Sequence, residues 1–287
     1  MANSYSNIVA FLLTTVGYYF IKPRPTYDTI NDPEKNKAYV SNNNLYLGIY
    51  LLLVVIIQFM VNASIISTTC GGSINENMGT AGVFTFIPWM LIFGAVIVVL
   101  ILYPGFKSAF SDVIGYYYVS SSANELLTKL LINSDTTSST ATEQNTPNLA
   151  IPQNGGDNQK LQNATDLIVK ICGNTSILIN QMSPENYNNF WNTLEPLMKP
   201  EYKGNNGIDI KKALFELVVT KDNIGQAMWF IYTGLLLVSI VQLKITSRGC
   251  VVSPKTMQAN YAEFQKQEAA AQEQAALATS TTYTVTN

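Results

Sequence analysis

Histidine is the commonest general base and the commonest metal ligand in proteins, and this chain of 287 residues contains none. What remains for chemistry is three cysteines and 19 acidic side chains. Cys70, Cys172 and Cys250 are too widely separated to build a local CxxC metal site or a disulfide framework. One Cys70–Cys172 or Cys172–Cys250 bridge is one reading of them, and free thiols are the other. Glu185, Glu195, Glu201, Asp209 and Glu216 are near enough in sequence to invite an acid–base pair, but their flanks are polar and no cleft-forming motif surrounds them. They read as solvated surface. A nucleophile elbow, a phosphate-binding loop, a dinucleotide fingerprint, HExxH and a calcium loop are all missing. The sequence therefore predicts a protein that is not an enzyme, with no catalytic, cofactor-binding or metal-binding residues.

The charge balance excludes another class. A net charge of −2 with no basic stripe gives no electrostatic footprint for nucleic acid. The remaining polar pair of note is Gln58 and Asn62, one helical turn apart inside an apolar stretch. Such amides usually face a neighbouring helix, and helix packing is the role expected of them rather than solute conduction.

The elements that position these residues are apolar segments. Gly82 to Tyr103 holds about 22 residues without a charge, enough at about 1.5 Å per residue to cross a hydrocarbon core of about 30 Å. Trp89 and Tyr103 suit its interfacial ends, and Pro88 lies in its first two turns, where a small kink is tolerable. Residues 45–66 and 224–243 are also of spanning length, and 7–21 reads as a shorter span whose Lys22 and Arg24 anchor it at an interface. A cleaved signal peptide is the rival reading of 7–21, but the flank after it offers no small-residue cleavage site. Residues 22–44, with Pro23, Pro25 and Pro33, read as a polar connector. Its basic residues, set against a link at 67–81 with no Lys or Arg, place the connector inside and the link outside.

After the third span, Pro104 and Gly105 stop the helix, and then Phe106, Phe110, Val113 and Tyr117 recur at helical spacing opposite Lys107, Ser108, Ser111 and Asp112. Residues 106–132 are expected to form an amphipathic segment along the membrane surface, with Pro104, Gly105, Phe106, Lys107, Phe110, Gly115, Tyr116 and Tyr117 contacting membrane or partner. A span ending in Pro-Gly and continuing as aromatic-Lys-Ser-x-Phe-Ser-x-x-x-Gly-Tyr resembles the membrane-embedded virion proteins of large nucleocytoplasmic DNA viruses, such as the chlorella-infecting and mimivirus-like groups. The positions that carry the resemblance are Pro104, Gly105, Phe106, Lys107, Ser108, Phe110, Ser111, Gly115 and Tyr116, about a tenth of the chain. Ala109 stands where the pattern often has Pro, and Asp112 where it often has Asn. The resemblance implies a minor capsid or internal-membrane component that ties the lipid layer beneath an icosahedral shell to that shell, with other capsid or virion membrane proteins as partners.

The rest is polar. Residues 134–158 are a low-complexity linker, and 159–222 read as a small helical module, with Ser183-Pro184 as a start signal and Trp191 and Phe190 in its core. About 60 residues bury little surface alone, so the module is expected to pack on the membrane segments or a partner as well. The tail, 244–287, reads as helical from Lys255 to Ala278 and frayed at its end. The whole is an all-α polytopic membrane protein with about four transmembrane helices, an interfacial amphipathic segment and a small polar helical module. The lipid bilayer is its first partner, and homo- or hetero-oligomers are compatible with it. A small-solute transporter or channel subunit and a cellular membrane scaffold are the alternative functions, the former disfavoured by charge-free spans.

Overall fold

The computed structural model describes residues 5–70, 73–131, 175–248 and 254–280. The linker at 134–158 and the start of the module at 159–174 lie outside them. Within the described residues the chain is helical, with only an isolated antiparallel bridge between Leu131 and Met198. The helices are α1 (Ser6–Ile21), α2 (Tyr27–Asn31), α3 (Pro33–Cys70), α4 (Ile74–Pro88), α5 (Gly94–Leu102), α6 (Tyr116–Leu130), α7 (Thr175–Gln181), α8 (Tyr187–Leu194), α9 (Ile208–Arg248) and α10 (Pro254–Ser280). A π-helical turn, Trp89–Phe93, joins α4 to α5 directly after Pro88. Proline supplies no N–H to the turn before it, and a wide turn is one way for a helix to continue past that gap.

Three helical stretches are long and apolar enough to cross a membrane: Pro33–Cys70, Ile74–Leu102 and Ile208–Ser247. The apolar helix α1, at 16 residues, is shorter. Their outward side chains are apolar, including Leu13 and Phe20 on α1, Leu45 and Leu52 on α3, Leu91 and Leu102 across α4 and α5, and Leu243 on α9. Soluble proteins rarely expose large apolar side chains in this number along single helices.

Two expectations about connectors are corrected. Residues 22–44 are not a plain loop, because α3 starts at Pro33. Proline at the first helical position loses no hydrogen bond, and Asp32 before it accepts from the backbone N–H of Glu34 and Lys35. Likewise the module does not end at a break before the last span. α9 runs unbroken for 41 residues, about 60 Å, twice the thickness of a hydrocarbon core. No proline interrupts Ile208 to Arg248, and Gly225 falls inside a helix that its neighbours sustain.

The chain forms two compact units. One comprises Met1–Phe11, Val54–Leu91 and Leu236–Asn287, and the other Leu12–Leu53 and Ile92–Leu235. In the first, Ala63, Ile65, Ile66, Ala81, Val241 and Ile245 form the core. In the second, the module core draws on α6 (Val119, Ala123, Leu127, Leu130), α7 (Leu178, Ile179), α8 (Tyr187, Trp191, Leu194) and α9 (Leu214, Phe215, Val218). Each fully buried side chain of this size contributes about 1.5–3 kcal/mol. The surface segment is thereby corrected in its second half. Val119, Ala123, Leu127 and Leu130 recur along one face of α6, and that face closes the module core instead of lying on lipid. Trp191 and Tyr187 are buried, while Phe190 packs partly against them. α8 starts three residues beyond the Ser183-Pro184 signal, after a turn in which Ser183 and Asn186 bond each other's backbone N–H.

Candidate functional site

The second unit gathers charges where α1, α5 and the span of α9 end. Lys22, one residue past α1, is buried and donates from Nζ to Asn223 Oδ1 at 2.7 Å and Gln226 Oε1 at 2.8 Å. The rings of Tyr18 and Tyr19 lie 5.9 and 5.1 Å from the same nitrogen. Burial pushes this ammonium down from its usual 10.5 to about 7, with the nearby Asp222 carboxylate opposing the shift. Lys107 Nζ sits 2.7 Å from Asp222 Oδ2 and 3.8 Å from Glu185 Oε1. One turn along the surface segment, Lys221 donates to Asp112 Oδ1 at 2.7 Å.

Backbone approach makes this possible. Gly225 of α9 faces Ser111 and the Lys107 carbonyl so closely that an added Cβ would lie 2.6 and 2.8 Å from them, and a Cβ on Gly115 would lie 2.5 Å from the Lys221 carbonyl. The glycines let the segment after Pro104 lie along α9. Trp229 Nε1 then donates to the Phe106 carbonyl at 2.8 Å, and the Phe110 ring meets Trp229 edge-on at 5.1 Å.

The eight residues expected to contact membrane or partner therefore divide. Lys107 and Gly115 face the protein, Phe110 is half-buried against Trp229, and Tyr116 packs partly against the module core. Phe106 and Tyr117 are exposed, as are Val113 and Tyr118 beside them. Gly105 has open space about it, and Pro104 lines a cavity of about 430 Å³. That cavity also touches Lys107, Asp222, Asn223, Gln226 and Glu185. The charges expected on the solvent side of the segment are thus its inward side.

The first unit holds the amide pair. Asn62 is buried and donates to Thr85 Oγ1 at 2.9 Å, while accepting from Asn7 Nδ2 at 2.8 Å. Asn7 Nδ2 also reaches Gln242 Oε1, and Gln58 donates to the Asn7 carbonyl. Polar groups from α1, α3, α4 and α9 thus bond one another in an apolar setting, with Asn7 Oδ1 left over. Cys70, at the end of α3, is disulfide-bonded, which settles the free-thiol reading for that residue; its partner lies outside the described residues.

Lys22 and Asp222 were legible only as an interface anchor and a helix lead-in. The missed signal is positional: Lys22 follows the first span, Lys107 follows the third and Asp222 precedes the fourth. Alternating spans bring those three positions to one side. Among the described residues, no group of His, Cys, Asp and Glu could hold a metal ion.

Helix lengths, the exposed apolar faces of those helices and the hydrogen-bonded amides define an all-α polytopic membrane protein. No protein-family model, curated protein or solved structure matches the chain.

Proposed function

We propose that this is a structural membrane protein of a virus particle, a minor capsid or internal-membrane component that links the lipid layer to the capsid. The observation that carries the reading is the two-faced segment after Pro104. Its Lys107, Ser111 and Asp112 turn inward onto α9, and Phe106, Val113, Tyr117 and Tyr118 turn outward at the end of a span. Aromatic side chains there suit the interfacial layer or an apolar patch on a neighbouring protein. The resemblance of the same segment to virion membrane proteins supplies the setting. The amides within the spans support a scaffold over a transporter, because they bond one another instead of lining a path.

A solute-transport role is the second reading, favoured by the buried Lys22 beside a polar cavity. Quantitative mass spectrometry of gradient-purified particles, before and after mild detergent stripping, separates the two. Hundreds of copies retained on the shell support a membrane-to-capsid linker, and hundreds leaving with lipid support an internal-membrane protein. Absence from particles refutes the virion role. Tyr117→Asp should loosen attachment without impairing insertion, and it is cleaner than Phe110→Asp because Tyr117 is exposed whereas Phe110 packs on Trp229.

A further inference from the structure

The cavity beside Lys107 has an unusual hydrogen-bond balance. Two amide oxygens on its lining residues, Asn43 Oδ1 and Asn188 Oδ1, are buried and have no hydrogen-bond partner. Buried acceptors left in this way cost about 1–3 kcal/mol each, so a ligand that donates to them is favoured. The orientation of Asn188 is fixed by a relay. Asn31 Nδ2 donates to the Tyr27 carbonyl at 2.7 Å, which makes Asn31 Oδ1 the acceptor for Asn188 Nδ2 at 2.9 Å and leaves Asn188 Oδ1 over. A backbone carbonyl cannot donate, so the chain of assignments has one solution.

The lining mixes two kinds of wall. Leu47, Leu100 and Ile101 come from apolar stretches of α3 and α5, whereas Asn188 and Glu185 come from the module. Ile101 and Val40 are themselves exposed, so the space is open to its surroundings. Its charges are one ammonium, Lys107, with Asp222 at 2.7 Å and Glu185 at 3.8 Å. Two carboxylates beside one ammonium disfavour a free anion, but not a zwitterion whose own cation meets a carboxylate. A quaternary ammonium would want an aromatic cage, and Tyr39 is the one aromatic residue on the lining. A primary ammonium suits amide oxygens and a carboxylate, and a phosphate tethered to it can turn to Lys107. At about 430 Å³ the space is within the range of small-molecule sites, about 300–1,000 Å³.

We propose that this cavity binds the phosphoethanolamine headgroup of a membrane phospholipid, its ammonium on Asn43, Asn188 and Glu185 and its phosphate on Lys107. The acyl chains continue along the apolar side past Ile101. The site would fix the depth of the protein in the bilayer and tie the module to lipid composition. It depends on the membrane-spanning fold and not on the virion role, so it is tested on purified protein without any particle.

The full chain is purified in mixed micelles containing equal phosphatidylethanolamine and phosphatidylcholine, and retained lipid is counted by native mass spectrometry. One phosphatidylethanolamine per chain should be retained at least tenfold over phosphatidylcholine. Asn188→Leu and Asn43→Leu, which keep the volume and remove the acceptors, should each abolish that preference while leaving the melting temperature within a few degrees of the parent. Asn223→Leu, which disturbs the Lys22 contact on the same lining, serves as the variant that perturbs folding without removing the headgroup acceptors. Equal retention of the two lipids, or variants that keep the preference, would overturn the proposal. Soluble phosphoethanolamine that displaces the lipid at micromolar concentration would overturn the assignment to a membrane lipid.

Discussion

Asp222→Asn removes the carboxylate on which Lys107 rests. The contacts at 2.7 Å to Asp222 and 3.8 Å to Glu185 are worth about 6 and about 4 kcal/mol before desolvation, at an effective dielectric of about 20. Glu185 is half-exposed, so water weakens its share further. The parent makes both contacts at once, so neutralising Asp222 forfeits the closer one, about 6 kcal/mol, leaves Glu185 as the substitute partner, and is offset in large part because the cost of burying the Asp222 carboxylate is removed with it. A fall of about 2–4 kcal/mol follows, at or below the range for breaking a buried pair with no substitute, about 3–5 kcal/mol. Glu185→Gln alone should change stability by less than about 1 kcal/mol. The double variant loses the substitute, so it should fall by more than the two single losses added. Equilibrium unfolding of the purified full chain in mixed micelles reads all three. An Asp222→Asn variant within about 0.5 kcal/mol of the parent, or strict additivity in the double variant, would refute the shared-ammonium reasoning.

Gly115→Ala sets a Cβ 2.5 Å from the Lys221 carbonyl, a backbone atom that cannot swing aside. It should destabilise by about 1–3 kcal/mol, whereas Gly105→Ala, with nothing within 4 Å of the added carbon, should stay within about 0.5 kcal/mol; thermal denaturation of the pair checks the contrast. Lys22 gives a pH dependence. Its ammonium is held at about 7 in the fold against 10.5 in the unfolded chain, so between those values the unfolded state holds the extra proton and stability rises with pH. Lys22→Met should flatten that rise. A parent whose melting temperature does not climb relative to Lys22→Met between pH 7 and 9 would contradict the burial of this charge.

Apolar length carries most of what the sequence reveals of this fold, because a run of about 20 uncharged residues has few other uses. Helix ends are harder to read. Pro33 is a breaker within a helix and a starter at its first position, and only Asp32 accepting from the next N–H groups distinguishes the two. Lys221 and Asp222 look like the polar end of a module helix until Asp112 and Lys107 are seen to neutralise them, which lets α9 continue into the span. The direction of the surface segment was legible as a period but not as a sign. Periodicity separates its aromatic face from its charged face, and either can point inward; two glycines and two opposite charges on α9 decide it.

The same charges predict a sidedness. Lys22, Lys35, Lys37, Lys107 and Lys221 all lie at the ends of spans that alternate to one side, whereas residues 67–81, at the other end of α3, hold no Lys or Arg. Cations flanking spans stay on the cytoplasmic side. Disulfides persist on the oxidising side, and Cys70, which ends α3, is disulfide-bonded. Both rules predict the connector at 22–44 inside and residues 67–81 outside; continued through alternating spans this predicts the module inside and α10 outside, against the bias of Lys244 and Arg248. Ser122 of α6 and Glu263 of α10 are both exposed, so cysteines there report the two sides. In intact expressing cells a membrane-impermeant maleimide should modify Glu263→Cys at once and Ser122→Cys only after permeabilisation, each read against the parent's own thiols. The reverse order would mean that the basic residues crossed the membrane against the usual bias. Labelling of both without permeabilisation would mean that α9 does not span.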